Sequence, residues 1–260
     1  MRVLSRRLLI LALASLPGFT QAQGLWDNLN GQPGALALDN LGQSRPEAPF
    51  DITGTWSITG QWQFEDVPPL KPAAAELFAM ASQAAAAGKS FNDDIGRCWP
   101  PGLPRMMTRV WPVHMIQLPT SIVMISNFMN QVRWIYMDGR SHSDPDYYVP
   151  SYNGESIGHW DGDTLVIDTR NFEPSHHWLR AGIPVSEEFH TIERIRMSAD
   201  RQSLEVEWTM TDPQNWEGQW LGTKHYNRQD KVDFLEVHCL PDLNEGIIAT
   251  DDEYTIRTED

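Results

Sequence analysis

Two histidines and two carboxylates occupy alternating positions in runs that read as strands. His159 and Asp168 flank an Asp-Gly pair in the stretch Ser156 to Thr169, and His190 and Glu193 fall in a second run, Glu188 to Met197. Imidazole is the side chain whose unperturbed pKa lies nearest neutrality, and a carboxylate beside it tunes it further, so such a set is suited to proton transfer. If the two hairpins turn these positions into one cavity, His159 and His190 are the general base and acid, with Asp168 and Glu193 setting their pKa. Arg133 or Arg140 is then placed to steady an oxyanion. Trp134 and Tyr136, which share a strand face with Val132, can line the cavity for an aromatic or apolar ligand. Arg133, Trp134, Tyr136 and Arg140 therefore form the expected substrate-binding set. The same histidines and carboxylates also fit a metal site of two His plus a carboxylate. Against both readings stands the plainer one, in which each strand histidine only bonds locally.

Two other motifs do not survive their context. Gly154-Glu155-Ser156-Ile157-Gly158 matches the Gly-x-Ser-x-Gly nucleophile elbow, which needs a buried strand before it and a helix after it, whereas here a hairpin turn follows within a few residues. Asp161-x-Asp163 lacks the remaining ligand spacing and the distal Glu of a calcium loop. Neither cysteine sits beside a histidine at a zinc spacing, and His176-His177 cannot both point the same way from one loop, so no metal ligand set is assigned.

The element that positions the candidates is the hairpin Ser156 to Thr169. Asp-Gly between β-branched and aromatic runs is a strong short-range hairpin signal. With Asp161 and Gly162 as the turn, Trp160 pairs with Asp163 and Ile157 with Val166. Alternation then places Gly158, Trp160, Leu165 and Ile167 on an apolar face, and Glu155, Ile157, His159, Thr164, Val166 and Asp168 on the other. Strands are also expected over Arg109 to Leu118, Ile122 to Phe128, Gln131 to Met137, Leu204 to Asp212, Lys224 to Asn227 and Val232 to Cys239, with Asp51 to Thr59 as the first. The one clear helix is Pro72 to Ala87, stopped by Gly88. Many short strands and tight turns predict an all-β fold, an antiparallel β-barrel or, failing that, a β-sandwich.

Composition bounds the rest. Arg2, Arg6 and Arg7 precede the apolar run Leu8 to Leu16 and the small-residue site Thr20-Gln21-Ala22, the pattern of a secretory signal peptide over 1–22. Residues 23–48 read as a mobile arm, 49–242 as one barrel domain and 243–260 as an acidic tail. Removal of the signal leaves 17 Lys and Arg against 35 Asp and Glu, a formal charge of −18. Such a surface repels phosphate backbones and anionic lipid, so nucleic acid and membrane partners are not expected. Outside the cytoplasm the only two cysteines, Cys98 and Cys239, are expected to form a disulfide. A periplasmic or secreted location follows from both features. The sequence does not fix the oligomeric state.

Gly54-x-Trp56 at the start of the first strand resembles the opening of lipocalins and related calycin barrels, which implies a Trp plugging one barrel end. Cys98-x-Pro-x-Gly-x-Pro-Arg105, Tyr136-Met-Asp-Gly-Arg140, the whole stretch Ser156 to Thr169 and His190-Thr-Ile-Glu-Arg194 together resemble a large group of exported bacterial proteins with no assigned chemistry. The chain departs from that group at Ile183-Pro184-Val185, where a His-Pro-His is common, and the departure lowers the metal reading. The function these residues point to is an exported, cofactor-independent lyase, hydratase or isomerase acting on a small apolar or aromatic molecule. A non-catalytic ligand-binding barrel and a metal-dependent hydrolase are the alternatives.

Overall fold

The computed structural model describes residues 33–43, 48–89, 91 and 94–241. The expected signal peptide, the arm over 23–32 and 44–47, and the acidic tail lie outside these residues. Within the arm, Leu38–Leu41 form a single helical turn, α1.

Nine strands close into a barrel. They are β1 (Gly54–Thr59), β2 (Val113–Gln117), β3 (Ser121–Ser126), β4 (Gln131–Tyr136), β5 (Glu155–Asp161), β6 (Thr164–Arg170), β9 (His190–Met197), β10 (Ser203–Thr211) and β11 (Trp220–Arg228), while β7 (Trp178–Arg180) and β8 (Ile183–Pro184) form a separate ribbon. The order around the barrel is β1-β11-β10-β9-β6-β5-β4-β3-β2, and β1 closes it by pairing with both β11 and β2. Closure removes the free edges that a sandwich of the same strands would carry. The barrel is not wholly antiparallel: β4 and β5 run parallel, pairing only at Ile135 with Ser156 and Tyr136 with Ile157. A parallel pair needs a crossover rather than a tight turn. Residues 137–154 supply it as an irregular loop over the outer wall, and that path builds the site described below.

The β5–β6 hairpin forms with a register two residues away from expectation. Asp161 pairs with Thr164, Trp160 with Leu165 and Ile157 with Asp168, so Gly162 and Asp163 make the turn. Gly162 takes φ +61°, the left-handed region that a residue with a Cβ enters at a cost. Because side chains alternate with period two, this displacement leaves every residue on its expected face. Gly158, Leu165 and Ile167 point inward and His159 and Asp168 outward.

The barrel interior is filled rather than hollow. Trp56, Trp208, Trp220 and Tyr226 are fully buried, as are Leu103, Met106 and Met107 from the proline-rich loop, which helps to plug the barrel. Trp56 donates its indole N–H to the Ile52 carbonyl at 3.0 Å, and the Arg228 guanidinium lies 4.3 Å from the centre of its ring. Helix α2 (Pro72–Ala86) packs on the β7–β8 ribbon, where a Cβ on Gly182 would come within 2.6 Å of the Leu77 carbonyl.

Cys98 and Cys239 are bonded, with Cα atoms 5.5 Å apart. Cys239 lies outside any strand, because the expected strand over Val232 to Cys239 does not form. Asparagine side chains hold this segment where a neighbouring strand would otherwise be needed: the Val237 N–H donates to Asn130 Oδ1 at 2.9 Å, and Asn130 Nδ2 donates to the Val237 carbonyl at 2.8 Å. Among the described residues no helix is long and apolar enough to cross a membrane.

Candidate active site

The outer faces of β5, β6 and β9 carry Glu155, Asp168 and His190, and the crossover loop lays His142 over them. Asp168 sits opposite Ile192 in the β6–β9 register, so His190 is its diagonal neighbour. His190 Nε2 lies 3.0 Å from Asp168 Oδ1, and His142 Nε2 lies 2.9 Å from the same oxygen. The second nitrogen of His142, Nδ1, is 3.2 Å from Glu155 Oε2. A carboxylate only accepts, so each of these imidazole nitrogens donates an N–H. Glu155 is fixed by three further donors: the Ser143 N–H and hydroxyl, each at 2.8 Å, and Asn171 Nδ2 at 3.0 Å. The result is a line of four titratable side chains, Glu155, His142, Asp168 and His190.

Their charges follow from the contacts. Burial disfavours the His142 cation, but the hydrogen bonds and charges of Asp168 and Glu155 outweigh it and raise its pKa to about 9. At neutral pH His142 is therefore an imidazolium bridging two carboxylates. Burial acts to raise Asp168, yet the hydrogen bonds from His142 and His190, with the positive charge of Arg170, hold it well below the ordinary carboxylate range. Glu155 is lowered in the same way, with burial outweighed by its bonds to His142 and Ser143.

His190 forms part of the wall of a cleft of about 740 Å³ at the rim where β6 and β10 end and β9 begins. Phe189 and Trp216, both almost fully buried, contribute its apolar side, while Arg170, Glu188 and the ion-paired Lys71 and Glu217, 3.0 Å apart, contribute the polar side. His190 Nδ1 has no partner among the described residues, because its one hydrogen bond uses Nε2. The buried indole N–H of Trp216 is likewise without a partner. Neutral His190 thus carries a lone pair on Nδ1, with its Nε2–H held by Asp168.

The structure separates the residues that the sequence grouped. Asp168 and His190 meet as expected. Glu193 does not join them: it stands three residues from His190, an odd spacing that sends it to the barrel interior. There it forms a fully buried ion pair with Arg133, whose Nη1 is 3.1 Å from Glu193 Oε1 and whose Nε and Nη2 donate to Ser156 and Thr169 at 2.9 Å. Arg133 is consequently no oxyanion group for an external site. His159 projects outward opposite Val166 and is exposed, towards the turn end of the hairpin. Arg140 is held by Asp138, with Nη2 to Oδ2 at 2.5 Å, and its guanidinium lies 3.8 Å from the centre of the Tyr136 ring. The cation that reaches the site is Arg170, whose Nε is 3.3 Å from Asp168 Oδ1. Trp134 and Tyr136 line a different cavity.

Sequence reasoning missed His142 and Glu155 as site residues. His142 stood only as one polar residue of a loop, and nothing local signals where that loop crosses. Glu155 shares its strand face with His159, and this alternation was the available sign that it lies on the same side of the hairpin as Asp168, two positions out of direct register. No group of three or more His, Cys, Asp or Glu among the described residues is arranged to hold a metal ion. The fold and site together define a closed β-barrel with a histidine–carboxylate cluster on its outer wall. No protein-family model and no curated protein matches the chain, so the reading of that wall rests on its own geometry.

Proposed function

We propose that the protein is an exported acid–base enzyme of lyase, hydratase or isomerase type, with His190 as its proton-transfer residue. One observation carries this: His190 lines a cleft and has Nδ1 without a partner among the described residues, while Asp168 holds its Nε2–H at 3.0 Å. That arrangement fixes the tautomer and orients the ring, the two requirements of a histidine base. Nδ1 takes a proton from a C–H next to a carbonyl, and the electron pair moves to the carbonyl oxygen. His190 then returns the proton, either to another carbon of the same molecule or to a departing hydroxyl that leaves as water. Asp168 stabilises the imidazolium formed between the two steps. Arg170, with its side chain 54 % exposed beside Asp168, offers N–H donors to the developing oxyanion. The apolar side formed by Phe189 and Trp216 suits a small substrate with an apolar or aromatic body.

Export is supported by the Cys98–Cys239 bond and by the sequence pattern of residues 1–22. A non-catalytic binding barrel has less support, since the interior that would hold its ligand is occupied by side chains. Metal-dependent hydrolysis also has less support, because both nitrogens of His142 are turned to carboxylates.

Deuterium uptake from D2O at carbon positions next to a carbonyl, followed by NMR over a panel of small aromatic ketones and hydroxy acids, tests the proposal. Uptake by the native protein that falls at least about 100-fold in His190→Ala is the expected result. Equal uptake by the two proteins, or none by either, goes against it.

A further inference from the structure

Where β4 and β5 part from their two-residue parallel pairing, a second cavity of about 410 Å³ opens on the outer wall. The outer face of β4 lines it with Trp134 and Tyr136, and the crossover loop adds Tyr148 and Tyr152. Glu155 also belongs to its lining. None of these four aromatic rings is part of the buried core: each is only half-buried, and they fall in two pairs, Trp134 and Tyr136 on β4 and Tyr148 and Tyr152 in the loop.

We infer that this cavity is a second ligand site, for a small neutral aromatic molecule of the phenol class, and that its occupancy is transmitted through Glu155, His142 and Asp168 to His190. The aromatic lining favours a planar ring, because edge-to-face and offset contacts between rings add to the area they bury. The charges favour a neutral one. Arg133 contributes to the lining, but its guanidinium is turned inward and consumed by Glu193, so no free cation awaits an anion. Glu155 already accepts from His142, from Ser143 twice and from Asn171, so its carboxylate has little left to offer a cation. The indole N–H of Trp134 and the hydroxyl of Tyr136 have no hydrogen-bond partner among the described residues, which leaves donors for one phenolic oxygen. A cavity of this size lies at the lower end of the range for small-molecule sites.

Transmission follows from connectivity. Glu155 touches the second cavity, His190 touches the first cleft, and the bonds between them are 3.2, 2.9 and 3.0 Å long. A ligand that shifts Glu155 or the loop carrying Tyr148 and His142 therefore changes the donors on Asp168 Oδ1. This inference stands apart from the reading of His190 as a base: the deuterium assay decides that reading, and ligand binding decides this one.

Phenol itself is the probe, titrated into the full chain while indole fluorescence and the histidine ring signals are followed by NMR. Saturable binding with a Kd of roughly millimolar order is expected, weakened at least tenfold in Trp134→Ala and in Tyr148→Ala. Thermal melts of both variants confirm that they fold. On saturation the His142 and His190 signals should move, and in His142→Gln, which lies outside the cavity lining, phenol should still bind while the His190 response falls at least twofold. No saturable binding, binding unchanged in both aromatic variants, or binding of methyl glucoside in preference to phenol overturns the site. Phenol binding that leaves the His190 signals unmoved overturns the coupling.

Discussion

Asp168 and His190 are diagonal neighbours across β6 and β9, two positions out of direct register, and a 3.0 Å hydrogen bond from Nε2 to Oδ1 spans the offset. Asp168 also receives His142, so one carboxylate oxygen orders a strand histidine and a loop histidine together.

Replacing Asp168 with Asn keeps the shape of the side chain but removes the negative charge and exchanges one of its two acceptor oxygens for an NH2 donor, which can favour the other His190 tautomer. Deuterium uptake is expected to fall about 100-fold or more in Asp168→Asn, while His159→Ala, which alters an exposed residue outside the cluster, changes it little. Parallel assays of the two variants under one set of conditions check the contrast.

How much of this was legible in the sequence depends on the range of the interaction concerned. The faces of the central hairpin were legible because alternation is local, and even a two-residue error of register preserved them. The same alternation separates His190 from Glu193, which stand three apart, so placing both in one site ran against the strand geometry already in hand. The parallel β4–β5 pairing was not legible: it depends on where residues 137–154 travel, and no residue in that loop encodes the destination. His142 became part of the site through that path alone.

Stability should depend on pH through the same cluster. His142 has its pKa raised from 6.5 to about 9, so its contribution is fully present below about 6.5 and is lost as pH rises through about 9. It amounts to at most about 3 kcal/mol, reduced by the solvent reaching a side chain that is one-fifth exposed. Asp168 and Glu155 are lowered, so their contribution is present above about pH 4 and is lost as pH falls. Melting temperatures measured from pH 2 to 10 should decline at both ends, and His142→Gln should flatten the alkaline decline.

The interior ion pair gives a prediction with an internal control. Arg133→Met strands Glu193 among buried side chains and is expected to cost about 3–5 kcal/mol. Arg133→Met with Glu193→Leu removes both charges and should recover a substantial part of that loss. Urea denaturation of the two variants and the native protein measures the difference.

Reduction of the disulfide should also be costly. Cys98 and Cys239 close a loop with a sequence separation of 141, and Cys98→Ser is expected to lower stability by about 2–5 kcal/mol. Thermal melts with and without reductant should show the native protein falling toward the variant, and the variant unchanged by reductant.

The most direct test of the central claim is the tautomer of His190, read from long-range ¹H–¹⁵N correlations at a pH where the ring is neutral and assigned with His190→Gln. The expected spectrum has a protonated Nε2 and a bare Nδ1, the form in which Asp168 holds the N–H and the cleft receives the lone pair. A proton found on Nδ1 would contradict the account, because His190 would then have no base to present to a substrate.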